Sequence, residues 1–190
     1  MNTNDKSAIA SRVCSALSAG DVAFAQEIAR TEYPFNPATK GKRSMKRERM
    51  LQVFIRDGFI DRYFGGRLLF PGVLYLLRHE LPAEFPAPPS WRASESHFIY
   101  WELWPMVDHI IPIAQGGTNE LSNLCTTSVI HNDQKGHYSL DLLGWALKDP
   151  GNMEDWDGLI HWFIEYVSSH PQISDKDVLG WHQVATKVMK

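Results

Sequence analysis

The segment from Met106 to His137, MVDHIIPIAQGGTNELSNLCTTSVIHNDQKGH, constrains this chain more than any other. Its first part, VDHIIPI, is apolar and β-branched except for the adjacent pair Asp108 and His109. Pro105 and Pro112 keep that strand short, because proline has no N–H to give a ladder. Gly116-Gly117 supplies a turn, and a second extended piece covers residues 124–128. From Val129 the pattern becomes helical, carrying His131 and Asn132 and, one turn along, Lys135. Strand alternation sends Asp108 and His109 to opposite faces unless the strand ends there and releases both toward a cleft.

Around this segment the pattern is mainly helical. Ile9, Val13 and Leu17, then Val22, Ala25 and Ile28, lie at helical spacing on either side of a break and second cap at Gly20-Asp21. Residues 32–41 read as a linker, and Ser44 as the cap of a helix reaching Arg56. GFIDRYFGGRLLF places two apolar runs about Gly65-Gly66, a hairpin signal. Pro71-Gly72 opens a further helix, a proline-rich loop covers 82–89, and residues 97–113 are rich in aromatic and β-branched types. Helices are predicted at 139–147, 156–168 and 174–189, with Trp156, Leu159, Ile160, Phe163, Ile164 and Val167 forming a core stripe. The predicted divisions are 1–45, a helical segment with a basic linker; 46–150, the core; and 151–190, a helical extension packed on that core.

Composition narrows the class. With 44% hydrophobic and 22% charged residues in 190, the chain can bury a sizeable core, and a disordered or low-complexity protein is excluded. It has no apolar run of about 18 residues and no secretory leader pattern, so the expectation is a cytoplasmic protein away from membranes. Two cysteines, Cys14 and Cys125, are too few for a disulfide framework or an all-cysteine zinc site. The net charge of −3 hides an asymmetry. Residues 1–75 hold 12 Lys and Arg against 7 Asp and Glu, whereas 76–150 hold 4 against 9. The basic excess concentrates in Lys40, Lys42, Arg43, Lys46, Arg47 and Arg49. Such a stripe can engage phosphates even in an acidic chain, or serve only as a solvated face.

An acid, an imidazole and carboxamides converging from Asp108, His109, Asn123 and Asn132 could hold one hard cation beside one general base. Mg²⁺ suits such a set, because it keeps several waters and needs few protein oxygens.

The series Asp108-His109-Ile-Ile-Pro112, Gly116-Gly117, Asn119, Asn123-Leu124, His131-Asn132 and Lys135-Gly136 resembles the HNH endonuclease family in residue type and spacing. The resemblance implies an α+β fold: a ββα-metal nuclease core embedded in a mainly helical scaffold. It extends upstream, over roughly residues 50–150. Many members carry a zinc knuckle whose first cysteine pair follows a segment like Arg56-Asp57-Gly58-Phe59. Here Asp61 and Phe64 stand at that pair's positions, and Ser128 and His131 at those of the second. The departure implies no structural zinc, with packing by Tyr63, Phe64 and residues 68–70 in its place.

By the same resemblance His109 is the general base, and an imidazole, with an ordinary pKa near 6.5, is suited to taking a proton at neutral pH. Asp108 and Asn132 hold Mg²⁺ or Mn²⁺, Asn123 braces the loop and orients the His109 strand, and Lys135 meets a phosphate oxygen. His131, beside Asn132, is the alternative metal ligand if the helix register shifts by one. Lys40, Lys42, Arg43, Lys46 and Arg47 are the candidate nucleic-acid contacts. The implied activity is metal-dependent hydrolysis of DNA phosphodiesters to 5′-phosphate and 3′-hydroxyl ends. An RNA-cleaving or toxin-like nuclease and a non-catalytic DNA binder with a vestigial site stand as alternatives, because the motif positions a phosphate and a water and reads no base edge. A homodimer or a partner protein is the expected source of sequence recognition.

Overall fold

A computed structural model of the chain describes residues 6–34, 45–87 and 94–190. The chain divides into two compact units, residues 1–39 and 40–190. In the first, α1 (Lys6–Ser18) and α2 (Val22–Glu32) form a helical hairpin. Gly20 takes a positive φ at the break, and the Asp21 carboxylate caps α2 by accepting from Phe24 N at 3.0 Å. Ile9, Ala16, Ala25 and Ile28 are buried, and Arg12 grips Glu32 with two bonds of 2.6 and 2.7 Å.

The second unit contains α3 (Arg47–Arg56), α4 (Pro71–Glu80), the short α5 (Ile99–Glu102), β1 (Pro105–His109), β2 (Leu124–Ser128), α6 (Val129–Lys135), α7 (Leu140–Leu143), α8 (Ile160–Ser169) and α9 (Lys176–Val188). Its fold is mixed helix with one small antiparallel sheet. β1 and β2 pair so that Asp108 lies opposite Cys125 and His109 opposite Leu124, and α6 follows β2 with no intervening loop. Ser128 ends the strand and caps the helix, its hydroxyl accepting from His131 N at 3.3 Å. A strand that passes directly into a helix in this way is what a Ser at the N-cap permits.

The core lies among α3, α4, α8 and α9. Phe70 sits at its centre, meeting Phe59, Phe163 and Trp181 edge-on at ring separations of 6.3, 5.2 and 5.4 Å. Around it lie Leu51 and Phe54 of α3, Val73 and Leu76 of α4, Ile160 and Val167 of α8, Ile173, and Val178 and Ala185 of α9. α8 and α9 thus supply much of the core of the second unit. The segment 145–158 is also stitched to 57–70 through Lys148 N to Arg62 O, Gly151 N to Asp57 O, Trp156 Nε1 to Leu68 O and Phe70 N to Gly158 O.

Several predicted elements change extent. The hairpin about Gly65-Gly66 is reduced to a single bridge between Ile60 and Arg67. The helix expected from Trp156 begins at Ile160, because Gly158 and Leu159 both take positive φ and the Trp156 indole turns back to Leu68. The aromatic stretch before β1 contains the short α5, and α7 spans only one turn of the predicted 139–147. Among the described residues no helix is long and apolar enough to cross a membrane.

Candidate active site

The C-terminal end of β1 carries Asp108 and His109, and each is fixed by residues far away in sequence. The Tyr63 hydroxyl donates to Asp108 Oδ2 at 2.6 Å, and Lys135 Nζ lies 2.9 Å from the same oxygen. Lys135 also donates to the His109 carbonyl at 2.8 Å and stands 5.9 Å over the Tyr63 ring. Its side chain is fully buried, and that of Asp108 is 13% exposed. A buried ammonium requires a counter-charge, and Asp108 is that charge. Lys135, expected at a phosphate oxygen, has its ammonium turned to the protein interior, on Asp108 and the end of the strand.

Tyr63 remains a hydroxyl donor. Burial first, and then the neighbouring Cys125 and Asp108, push its phenol well above the usual range. Cys125, across the ladder from Asp108, bonds the same hydroxyl at 3.4 Å. Its thiol is pushed up to about 12, chiefly by burial, with Asp108 and Asp57 adding to the shift.

The loop joining the strands is held from inside by Asn123. Its Oδ1 accepts from Ile111 N at 2.9 Å, and its Nδ2 donates to the carbonyls of Ile111 and Thr118 at 3.0 and 2.8 Å. All three bonds go to loop backbone. A side chain at Gly117 would collide with the Ile111 carbonyl and crowd Asn123 Nδ2, which is why the second glycine of the pair is needed. From outside, two arginines of α3 grip the loop. Arg49 donates to the Asn119 carbonyl, and Arg56 to those of Leu121 and Leu124, both at 2.7 Å. His109 Nε2 lies 2.9 Å from Asn119 Oδ1.

Asn132 stands in the first turn of α6, three residues before Lys135, and is half-buried. Its carboxamide makes no hydrogen bond to the described residues. His131 points elsewhere. Its Nδ1 lies 2.6 Å from Asp61 Oδ2 and 2.9 Å from Ser128 Oγ, and its ring stacks on Phe64 at 4.0 Å. Asp61, Phe64, Ser128 and His131, the four positions that the resemblance would give to a zinc knuckle, therefore meet in one cluster of ring stacking and hydrogen bonds. His131, the alternative metal ligand, has its Nδ1 in this cluster.

Asp57 is a second buried hub. Its carboxylate receives Arg56, Arg62 and Thr126 N, tying α3, the 57–70 segment and β2 together.

Of the basic stripe, Lys40, Lys42 and Arg43 lie outside the described residues. Lys46 precedes α3. Arg47 bonds Asp177 at 2.7 Å and lies 5.2 Å over the Trp181 ring, so its guanidinium packs on α9.

Tyr63, Asn119 and Arg49 join the site although sequence linked none of them to Asp108, His109 or the loop between the strands. Only Asn119 lay within the motif, and no local pattern links any of them to its partner. No family model matches the chain, and comparisons with curated proteins and with solved structures return no match.

Proposed function

We propose that the chain is a metal-dependent endonuclease of the HNH type that hydrolyses DNA phosphodiester bonds. One observation carries the reading. Two antiparallel strands run directly into a helix, with Asp108 and His109 at the end of the first strand, Asn123 bracing the loop and Asn132 on the helix that reaches Asp108 through Lys135. That order supports the resemblance independently of residue spacing.

The donor set suits a hard cation. Among the described residues, the side-chain contacts to Asp108 fall on Oδ2, leaving Oδ1, and the Asn132 amide oxygen has no hydrogen bond. Among the described residues no three His, Cys, Asp or Glu side chains form a metal-binding group. A cation here would therefore rely on these two oxygens, with water and substrate completing its shell, as Mg²⁺ does. When bound, it supplies positive charge against the phosphate oxygens and the departing 3′-oxygen.

The remaining work belongs to the chain. His109 takes a proton from a water as that water's oxygen bonds to phosphorus, and the bond from phosphorus to the 3′-oxygen breaks. The 3′-oxygen regains a proton, giving 5′-phosphate and 3′-hydroxyl ends. Asp108 is held in place by Lys135 and Tyr63. Asn123 keeps the loop closed over the end of β1.

The test is nicking of supercoiled plasmid with Mg²⁺ or Mn²⁺. Wild-type cleavage that stops with EDTA and falls about a hundredfold or more in His109→Ala is expected. Unchanged activity in His109→Ala overturns the assignment of the base. Cleavage of RNA alone overturns DNA as the substrate, and metal-independent DNA binding without cleavage of either overturns the enzyme.

A further inference from the structure

A neutral imidazole carries one proton, and which nitrogen holds it decides which nitrogen can act as a base. His109 Nε2 lies 2.9 Å from Asn119 Oδ1. An amide oxygen only accepts, so Nε2 must be the N–H and the free lone pair must be on Nδ1. Asn119 is itself held in place. Its carbonyl accepts from Arg49 of α3, the preceding Thr118 carbonyl accepts from Asn123 Nδ2 at 2.8 Å, and Glu120 N donates to Thr118 Oγ1 at 3.3 Å. The acceptor facing His109 is thus carried on a short stretch of backbone pinned on both sides.

We infer that Asn119 is a positioning residue that locks His109 as the Nε2–H tautomer, leaving Nδ1 as the nitrogen that receives the proton from water. The identification of Nδ1 as proton acceptor rests on the nuclease reading, whereas the tautomer lock does not. Arg49 acquires a role distinct from the rest of the basic stripe. It fixes the backbone of Asn119 and so connects α3 to the His109 ring.

The experiment uses the full chain labelled with ¹⁵N in its histidines, at about pH 9 where imidazoles are neutral. The His109 signals are identified by their loss in His109→Gln. Wild type is expected to show a protonated Nε2 and an unprotonated Nδ1. Asn119→Leu removes the acceptor and should move both signals toward the average of the two tautomers, while Asn119→Asp keeps an acceptor and should preserve the wild-type pattern. In plasmid nicking, Asn119→Leu should lower kcat about 10- to 100-fold with KM changed less than about twofold, and Asn119→Asp should restore most of it.

An Nδ1–H form in wild type, or an unaltered His109 spectrum in Asn119→Leu, overturns the inference. A wild type with the expected tautomer that cleaves neither DNA nor RNA overturns the nuclease reading and the proton-accepting role of Nδ1, while the lock itself stands.

Discussion

His131 Nδ1 lies 2.6 Å from Asp61 Oδ2, and that contact joins helix α6 to the segment following α3 across 70 residues of sequence. Asp61 is buried and receives donors only. Oδ1 accepts from the backbone N–H groups of Tyr63 and Phe64 and from Thr127 Oγ1, and Oδ2 accepts from Ser128 N and His131. A carboxylate can accept at every one of these positions, and no neutral isostere can. The cluster does in one place what a bound ion does elsewhere: it ties a turn to the start of a helix.

Asp61→Asn tests this directly. The amide nitrogen of asparagine must face at least one donor, which leaves buried polar groups opposed and should cost about 2–3 kcal/mol in urea unfolding. The pH dependence follows from the carboxyl. Burial pushes its pKa up, but the bonds from His131, Ser128 and Tyr63 outweigh burial and hold it below the usual value. A group lowered in the folded state stabilises fully above its unfolded pKa of about 3.9 and loses that contribution as pH falls through the folded value. Wild type should therefore lose stability below about pH 4 more steeply than Asp61→Asn. Asp157 and Asp175 are also lowered and contribute to both curves, so the difference between the curves isolates Asp61. Parallel curves would show that Asp61 is not the titrating group.

The strands, the α6 start and the loop were legible because each is encoded locally. Proline limits β1, a glycine pair turns the chain, and Ser128 caps α6. The polar partnerships were not legible, because they cross long distances. Nothing near Lys135 marks it as buried; a lysine in the last turn of a short helix is ordinarily solvated, and only the fold brings Asp108 to it. Tyr63 read as a packing residue since its hydroxyl partner lies 45 positions away. Arg47 and Arg49 read as one basic stripe, although helix geometry sends Arg47 to α9 and Arg49 to the loop. The start of α8 was missed for a different reason: the apolar spacing runs on through Trp156, and the positive φ at Leu159 has no signature in a leucine.

Cysteine reactivity separates the two thiols. Cys14 is exposed, whereas Cys125 is fully buried with its thiol pushed up to about 12, chiefly by burial. The thiolate is the reactive form. A disulfide reagent at about pH 8 should modify one thiol per chain quickly and the second only on unfolding. Rapid modification of both would mean that the sheet opens readily at the Asp108–Cys125 pair.

The glycine pair should divide into a mild and a severe position. Gly116 has a positive φ of 87° but open space around it, so Gly116→Ala should cost about 1 kcal/mol of backbone strain. At Gly117 an added methyl meets the Ile111 carbonyl, which also accepts from Asn123 Nδ2. Gly117→Ala must displace backbone next to the end of β1, and a shift of about 1 Å there should slow nicking about a hundredfold. Equal effects at the two positions would place the steric constraint elsewhere.

Lys135 offers the sharpest stability test, because its charge is fully buried against a single carboxylate. Removing one member of such a pair leaves the other uncompensated, and Lys135→Met should lower stability by about 3 kcal/mol. Methionine keeps the length of the stem, so the loss reports charge and hydrogen bonding more than packing. In Asp108→Asn the carboxylate goes while the ammonium stays buried, and a loss of similar size is expected. The double variant should be less destabilised than the two single losses combined, since neither charge is then left unpaired. Urea unfolding of the four proteins measures this coupling. Strict additivity would mean that Lys135 is held by the His109 carbonyl and the Tyr63 ring rather than by Asp108.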